Sequence, residues 1–254
     1  MIPYFELPTL HLGPLAIQPF GILTAIGVYT AAVLLSRSAR LRGLDDKPVT
    51  DFAVWGVLTG VVVGHLVHLF LYHPEELRDR GPLQILRVWD GLSSTGGALG
   101  GVIAAIVFFR LRKARFADYA DSFALSVSTG WAIARLGCFA VHDHLGVHST
   151  LPFAVNFPGG PRLDMGLIDA VWLFSIAGLL SLLSRRKLMT GRLLPILALL
   201  YGSGRFCFDF FRATDVAYAD ARYFGLTPAQ YAALVLVGYG IYQLARYGRP
   251  NARA

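Results

Sequence analysis

Charge is scarce in this chain. Asp, Glu, Lys and Arg make up 15% of its 254 residues, against about 25% in typical soluble domains. Cysteine is nearly missing: Cys138 and Cys207 are the only two, which excludes a disulfide scaffold. The opening MIPYFELPTLHLGPL has no basic stretch ahead of its apolar residues and carries prolines and acid too early for a cleaved leader. It reads as a short segment lying at a membrane interface. What is abundant is apolar: 55% hydrophobic residues and 27 glycines, with a mean hydropathy of +0.53. Disorder and fibrous repeats are excluded by the same numbers, and a polytopic membrane protein remains. The net charge of +7 does not imply a nucleic-acid partner, because the basic residues sit in short loops beside apolar runs and no aromatic-interleaved basic patch accompanies them.

A spanning helix needs about 20 mostly apolar residues. Seven candidates follow, at 15–36, 51–72, 94–109, 119–141, 166–184, 193–211 and 228–244. Basic residues fall on alternate connections. Arg37, Arg40, Arg42 and Lys47 follow span one; Arg110, Arg112, Lys113 and Arg115 follow span three; Arg185, Arg186, Lys187 and Arg192 follow span five; Arg246, Arg249 and Arg253 lie in the tail. By the positive-inside rule the N-terminus is outside and the C-terminus cytoplasmic. The expected fold is an all-α integral membrane bundle of seven helices, forming one polytopic domain over 1–254. The connections 72–93 and 143–165 form a small extracytoplasmic cap, and PGGP at 158–161 suggests turns rather than a span.

Two arginines, Arg135 and Arg205, lie inside spans four and six. A charge at membrane depth is costly and is a functional-site hypothesis by default. Both fall in the outer halves of their spans, where two guanidiniums suit a phosphate at the outer leaflet; the alternative is a pair of snorkelling or ion-paired arginines that only hold the bundle together. Tyr201, Arg205 and Asp209 are four apart and share a helix face, and an Arg205–Asp209 pair would neutralise itself while leaving donors for a phosphate. The stretch GLSSTGGALGG at 91–101 runs hydroxyls and glycines, among them Thr95, Gly96 and Gly97, into a helix N-terminus. That suits an anion, and equally suits tight packing through a glycine pair at 97 and 101. After span four come His142, Asp143, His144, Gly146 and His148. Proton transfer is conceivable there, as is an ordinary wet loop; the spacing fits no standard zinc pattern, so no metal is expected. His65 and His68 share a face of span two and read as structural. The two cysteines read as small apolar fillers.

These segments, in this order, resemble the prolipoprotein diacylglyceryl transferases of the bacterial inner membrane. HLGPLAIQPFGILTAIG (11–27), GHLVHLFLY (64–72), WDGLSSTGGALGG (89–101), ARLGCFAVHDHLG (134–146), YGSGRFCFDFFR (201–212) and GLTPAQ (225–230) carry the likeness. The fourth is similar to the family signature GRxGNFxNxExxG. The resemblance implies transfer of the diacylglyceryl group of phosphatidylglycerol to the lipobox cysteine of a preprolipoprotein, with a thioether formed and glycerol phosphate released. It implies a multi-pass enzyme whose site faces the outer leaflet, with no cofactor. Arg135 matches the family's phospholipid-binding arginine and Arg205 its second essential arginine; Tyr201 and Gly146 are kept. The chain departs from the pattern at Phe20 for tyrosine, His65 for arginine, Thr95 for the histidine before the paired glycines, Cys138 and Val141 for two asparagines, Asp143 and Asp209 for longer acids, and GLID at 166–169 for a QLYE-like motif.

The expected catalytic set is therefore Arg135, Arg205, His142, Asp143 and His144, with either histidine standing in for the base lost at Thr95. The expected substrate-binding set is Arg135, Arg205, Tyr201, Thr95, Gly96, Gly97, Gly146 and Asp209. Two alternatives stay open: a transferase of the same fold with another acceptor, and a non-catalytic lipid-binding protein. A transporter is disfavoured by the absence of an inverted repeat and of a deep acidic coupling residue.

Overall fold

The computed structural model describes residues 1–12, 15–88, 90–216 and 218–247. Trp89 and the tail arginines Arg249 and Arg253, all used above, lie outside them, as do Gly13 and Pro14 of the opening motif. Long helices dominate: α1 (Pro19–Leu41), α2 (Lys47–Val67, continued by a π turn His68–Tyr72), the short α3 (Pro74–Arg80), α4 (Ser94–Leu111), α5 (Phe116–Val141), α6 (Met165–Ser184), α7 (Leu193–Phe208, continued by a 3-10 turn Asp209–Phe211) and α8 (Pro228–Tyr247). Six of them are long and apolar enough to cross a membrane. The seventh expected span corresponds to α8, a helix of 20 residues that does not reach that apolarity. Side chains such as Val54, Leu58, Val102, Val171 and Leu182 point outward, a surface that water does not suit and hydrocarbon does.

Each helix begins for a local reason. Prolines in the first turns of α1, α2 and α3 stand where a missing N–H costs nothing. Span one therefore starts at Pro19 and not at residue 15, where a strand lies instead. Ser93 caps α4 by accepting from the Gly96 amide at 3.3 Å, and Asp164 caps α6 through the Leu167 amide at 3.1 Å. The start of α7 is served from a distance. Asp121 on α5, 3% exposed, accepts from the amides of Gly191 (2.6 Å) and Leu193 (3.0 Å) and from Arg42 (3.0 Å).

Small residues let the helices close on one another. A methyl group on Gly27 would sit 2.4 Å from the Gly130 carbonyl, which fixes the α1–α5 crossing. The glycine pair that packs α4 on α2 is Gly96 and Gly100, whose added methyls would meet Val67 at 2.6 Å and the Thr59 carbonyl at 2.6 Å. Of the expected pair at 97 and 101, Gly97 lies at the edge of that contact, an added methyl being 3.8 Å from the Gly60 carbonyl, and Gly101 has nothing within 4 Å. The two pairs differ by one residue, about 100° around a helix, and the sequence does not say which side meets α2. At the far end of the bundle Phe52, Phe108, Phe109 and Phe123 interlock.

The structure is mostly helical, as expected, and short strands accompany the bundle. A sheet of order β1-β5-β6-β4 joins β1 (Ile2–Pro3), β4 (Leu145–His148), β5 (Val155–Phe157) and β6 (Gly160–Asp164), and β2 (Leu10–Leu12) pairs with β3 (Leu15–Ile17). The expected turn at 158–161 is the β5–β6 hairpin, paired Phe157 to Gly160. Strands of two to five residues are too short to register as alternation. The larger sheet fills the α5–α6 connection. A bridge from Gly146 to Arg212 ties it to the end of α7, and the Tyr223 hydroxyl donates to the Leu71 carbonyl at the end of α2 (3.1 Å). The ends of α2, α5 and α7 and the start of α4 thus meet around one space.

Candidate functional site

Arg135 and Arg205 come from different helices and turn to one carboxylate. Arg205 donates to Asp169 Oδ2 at 2.9 Å, and Arg135 Nε lies 3.5 Å from the same oxygen. They are 1% and 5% exposed, so pairing is obligatory; an unpaired buried charge would cost several kcal/mol. Arg135 also donates to Ser94 Oγ at 2.9 Å and approaches Cys138 Sγ at 3.6 Å. Arg205 reaches Asp209 Oδ1 at 3.0 Å, the i,i+4 pair expected from the sequence. Arg212 Nε lies 2.9 Å from that oxygen, Arg212 also pairs with Asp220, and the Thr227 hydroxyl donates to Asp209 Oδ2. The pairing does not exhaust the cations. Arg135 Nε and two nitrogens of Arg212 are buried with no hydrogen bond of good geometry.

In front of these groups lies an open cavity of about 300 Å³. Its walls are Gly91–Ser94, His68 and Tyr72 from the end of α2, Asp143 and His144 after α5, Arg205 and Arg212, and residues such as Ala213, Val216, Tyr218 and Asp220 beyond α7. Asp143 is ionised there. Burial opposes its charge, but the His144 hydrogen bond and the nearby charges of His144, Arg135 and Arg212 hold its carboxyl below the usual range. Asp220 is likewise held low: burial is outweighed by Arg212 and His144.

The expected residues divide. Arg205, Asp143 and His144 line the cavity, with Arg135 and Asp209 immediately behind. Tyr201 lies against Trp131, with ring centroids 5.1 Å apart and the planes tilted by 43°, one turn before Arg205 on α7. Thr95 reaches the site only through its contact with the Tyr72 hydroxyl, at 3.1 Å. Gly96 and Gly97 are withdrawn: their amides are spent on Ser93 Oγ and the Ser93 carbonyl. Gly146 is a packing position, since an added methyl would meet Leu163 at 2.8 Å.

His142 is withdrawn too. It ends α5 in the left-handed region (φ 51°), a conformation costly without glycine. The position is held because its ring bonds to Asp164 Oδ2 at 2.7 Å and to the Phe5 carbonyl at 3.1 Å. It faces a different cavity, with Tyr4, Phe5 and Gln18. That left-handed turn sends the next two residues the other way, into the arginine cavity.

Several members of the site were not singled out from sequence. Asp169, 2% exposed, is the acid that joins the arginines; an acid near the start of an otherwise apolar span was the available signal. Tyr72, Ser94 and Arg212 lie inside the family-like segments 64–72, 89–101 and 201–212 without a role of their own there, and Asp220 carried no signal. His68, read as structural, stands in the cavity wall. His65 is structural as expected: its ring nitrogens each lie 3.0 Å from a carbonyl, of Gly91 and Gln84, and fasten the loop before α4. Among the described residues one group could hold a metal. Cys138, Asp143 and His144 place a ligand atom each within 4.8 Å of one another.

Comparison with known proteins is consistent across the whole chain. The family model described as prolipoprotein diacylglyceryl transferase matches residues 8–246. A phosphatidylglycerol–prolipoprotein diacylglyceryl transferase of Symbiobacterium thermophilum is 29% identical, with 100% of this chain and 97% of the relative covered. The protein of that name from Nitratidesulfovibrio vulgaris (strain DP4) is 31% identical, covering 99% and 98%. The one from Oleidesulfovibrio alaskensis is 32% identical, covering 94% of each.

Proposed function

From the premise that the chain belongs to the prolipoprotein diacylglyceryl transferase family, we propose that it moves the diacylglyceryl group of phosphatidylglycerol onto the lipobox cysteine of a preprolipoprotein. The observation that carries this is the arginine pair: two buried guanidiniums on one carboxylate, with donors to spare, at the back of a cavity. A phosphodiester there would be held by charge-assisted hydrogen bonds. When the acceptor sulfur attacks the glycerol carbon and the carbon–oxygen bond breaks, the second negative charge on the leaving glycerol phosphate develops against the same donors. Asp143 and His144 face that cavity and serve the other need of the reaction, activation of the acceptor thiol. Arg135, Arg205, Asp143 and His144 are the catalytic set of this proposal, and Tyr201 and Asp209 support the arginines.

The same proposal sets the molecule in its membrane. It is a single polytopic domain of the bacterial inner membrane, with α8 as a seventh span. The basic loops face the cytoplasm, and the cavity opens at the outer leaflet under a cap formed by the sheet and the segment 72–93. Phosphatidylglycerol would then reach the arginines from the lipid phase, and the lipobox peptide from the outer face.

A reconstituted assay tests it. Purified protein with phosphatidylglycerol and a lipobox peptide should yield both lipidated peptide and glycerol phosphate, and Arg135→Ala should yield neither. Glycerol phosphate without lipidated peptide would mean hydrolysis or another acceptor. Lipid binding with no product would leave a binding protein.

A further inference from the structure

The signature after span four is where this chain changes most, and the changes meet in space. Cys138 stands in place of an asparagine, Asp143 in place of a longer acid, and His144 at a position the signature leaves open. We propose that Cys138, Asp143 and His144 bind a divalent transition-metal ion, zinc by chemical preference, and that its remaining coordination position takes the sulfur of the acceptor cysteine.

The geometry is built by the helix end. Cys138 lies on the last turn of α5. The left-handed residue His142 then reverses the chain, and the Asp143 amide donates back to the Cys138 carbonyl at 3.4 Å. Residues 143 and 144 therefore fold over the cysteine, and the three ligand atoms lie within 4.8 Å of one another. Ligands on a tetrahedral zinc ion are about 3.3–3.8 Å apart, given bonds of about 2.0–2.3 Å, so rotamer adjustment of roughly an ångström closes the site. Asp143 Oδ1 and His144 Nδ1 pair at 2.7 Å, which holds the carboxylate and the imidazole side by side next to the cysteine.

Ligand chemistry narrows the ion. A thiolate with an imidazole and a carboxylate selects zinc or cobalt over magnesium or calcium. Thiolate and carboxylate together neutralise a divalent ion. Arg135, 3.6 Å from Cys138 Sγ, then acts as an outer donor to the bound sulfur, the supporting role that tunes such sites. Cys138 is 6% exposed and closes the back, while Asp143 and His144 line the cavity. The fourth direction is open, as in catalytic rather than structural zinc sites.

The role in thiol activation rests on the transferase reading. A free cysteine ionises only near pH ~8.5, whereas a thiol that coordinates a metal is deprotonated outright. The S–H bond breaks on coordination and the proton leaves to water. The sulfur lone pair then forms the S–C bond to the diacylglyceryl carbon. The C–O electron pair departs with glycerol phosphate, whose charge goes from one negative to two. Nothing is oxidised. The base lost at Thr95 is thereby made unnecessary.

The test has a readout apart from turnover. Full-length protein, stripped by chelation in detergent, is titrated with Co²⁺. One ion per chain is expected, with near-ultraviolet thiolate-to-cobalt absorption and the visible bands of a tetrahedral ion. Cys138→Asp should keep the ion but lose the thiolate band. Cys138→Ser and His144→Ala should weaken binding more than about a hundredfold, beyond the 10–100-fold typical of losing an outer-shell partner. Cys207→Ser should change nothing. No binding, or a thiolate band that survives Cys138→Ser, overturns the site. Turnover on phosphatidylglycerol in that case still upholds the transferase. Binding as described, with turnover unaffected by chelation, overturns the role in thiol activation. Binding with no turnover under any loading overturns the transferase reading instead.

Discussion

The two ends of α5 each bury a charge, and they treat it differently. At one end Asp121 accepts two backbone amides and a guanidinium. Both of its oxygens are engaged. At the other end Arg135 keeps Nε without a hydrogen bond, shares its carboxylate with Arg205 and stands behind a space of about 300 Å³. Burial of a charge is thus not in itself a sign of function. A saturated charge fastens helices; under the proposed function, an unsaturated one beside a cavity serves a ligand.

The sharpest way to break this comparison is to remove the charge at each end. Arg135→Ala and Arg205→Ala should each lower turnover by about 10²–10³-fold or more, the scale on which loss of one transition-state donor is felt, measured on the monodisperse fraction with phosphatidylglycerol. Asp121→Ala should instead cost stability, about 3–5 kcal/mol for breaking a buried charged network, seen as a lower unfolding temperature in detergent. The folded fraction should turn over normally. An Asp121 variant that is stable but inactive would overturn the distinction.

This distinction also marks how far the sequence could be read. The spans were legible because a membrane helix announces itself over about 20 residues, and Arg135 and Arg205 because charges in such runs are rare. Partners were not legible. Asp169, Ser94 and Arg212 are joined to the arginines by tertiary packing, which spacing along the chain does not record. Two registers were missed for the same reason: the choice of Gly96 with Gly100 over the neighbouring pair, and the separation of His142 from His144. The second depends on one left-handed residue, and nothing in the side chain of a histidine signals that conformation.

That left-handed turn gives the next contrast. His144→Ala should lower turnover by about a hundredfold, within the range for loss of a group that helps to activate the thiol, and should leave the unfolding temperature nearly unchanged. His142→Asn, chosen because asparagine tolerates the left-handed conformation, should do the reverse. It leaves Asp164, 1% exposed, without its imidazole, at a cost of about 1–3 kcal/mol, while turnover at low temperature persists. Burial already pushes the Asp164 carboxyl above its usual range, and the His142 hydrogen bond works against that push. Equal loss of turnover in both variants would mean that the two cavities communicate.

The smallest expected effect is at the surface, on β6, an inner strand of the sheet. Arg162 pairs with Asp215 and donates to the Gly146 carbonyl at 3.2 Å, so it links the sheet to the loop beside Arg212. The Arg162 hydrogen bond, reinforced by the charges of Arg162 and His148, holds the Asp215 carboxyl at about 2. A carboxyl lowered in the folded state stabilises it above the ordinary carboxylate range, and that contribution is lost as pH falls through about 2. Because the pair is exposed, water and salt screen it and the gain is slight. Asp215→Asn should therefore flatten a shallow fall in unfolding temperature between about pH 4 and pH 2 and leave neutral stability almost unchanged. A large loss at neutral pH would show that Asp215 does more than pin the loop: it would place this exposed contact among the groups that hold the cavity wall.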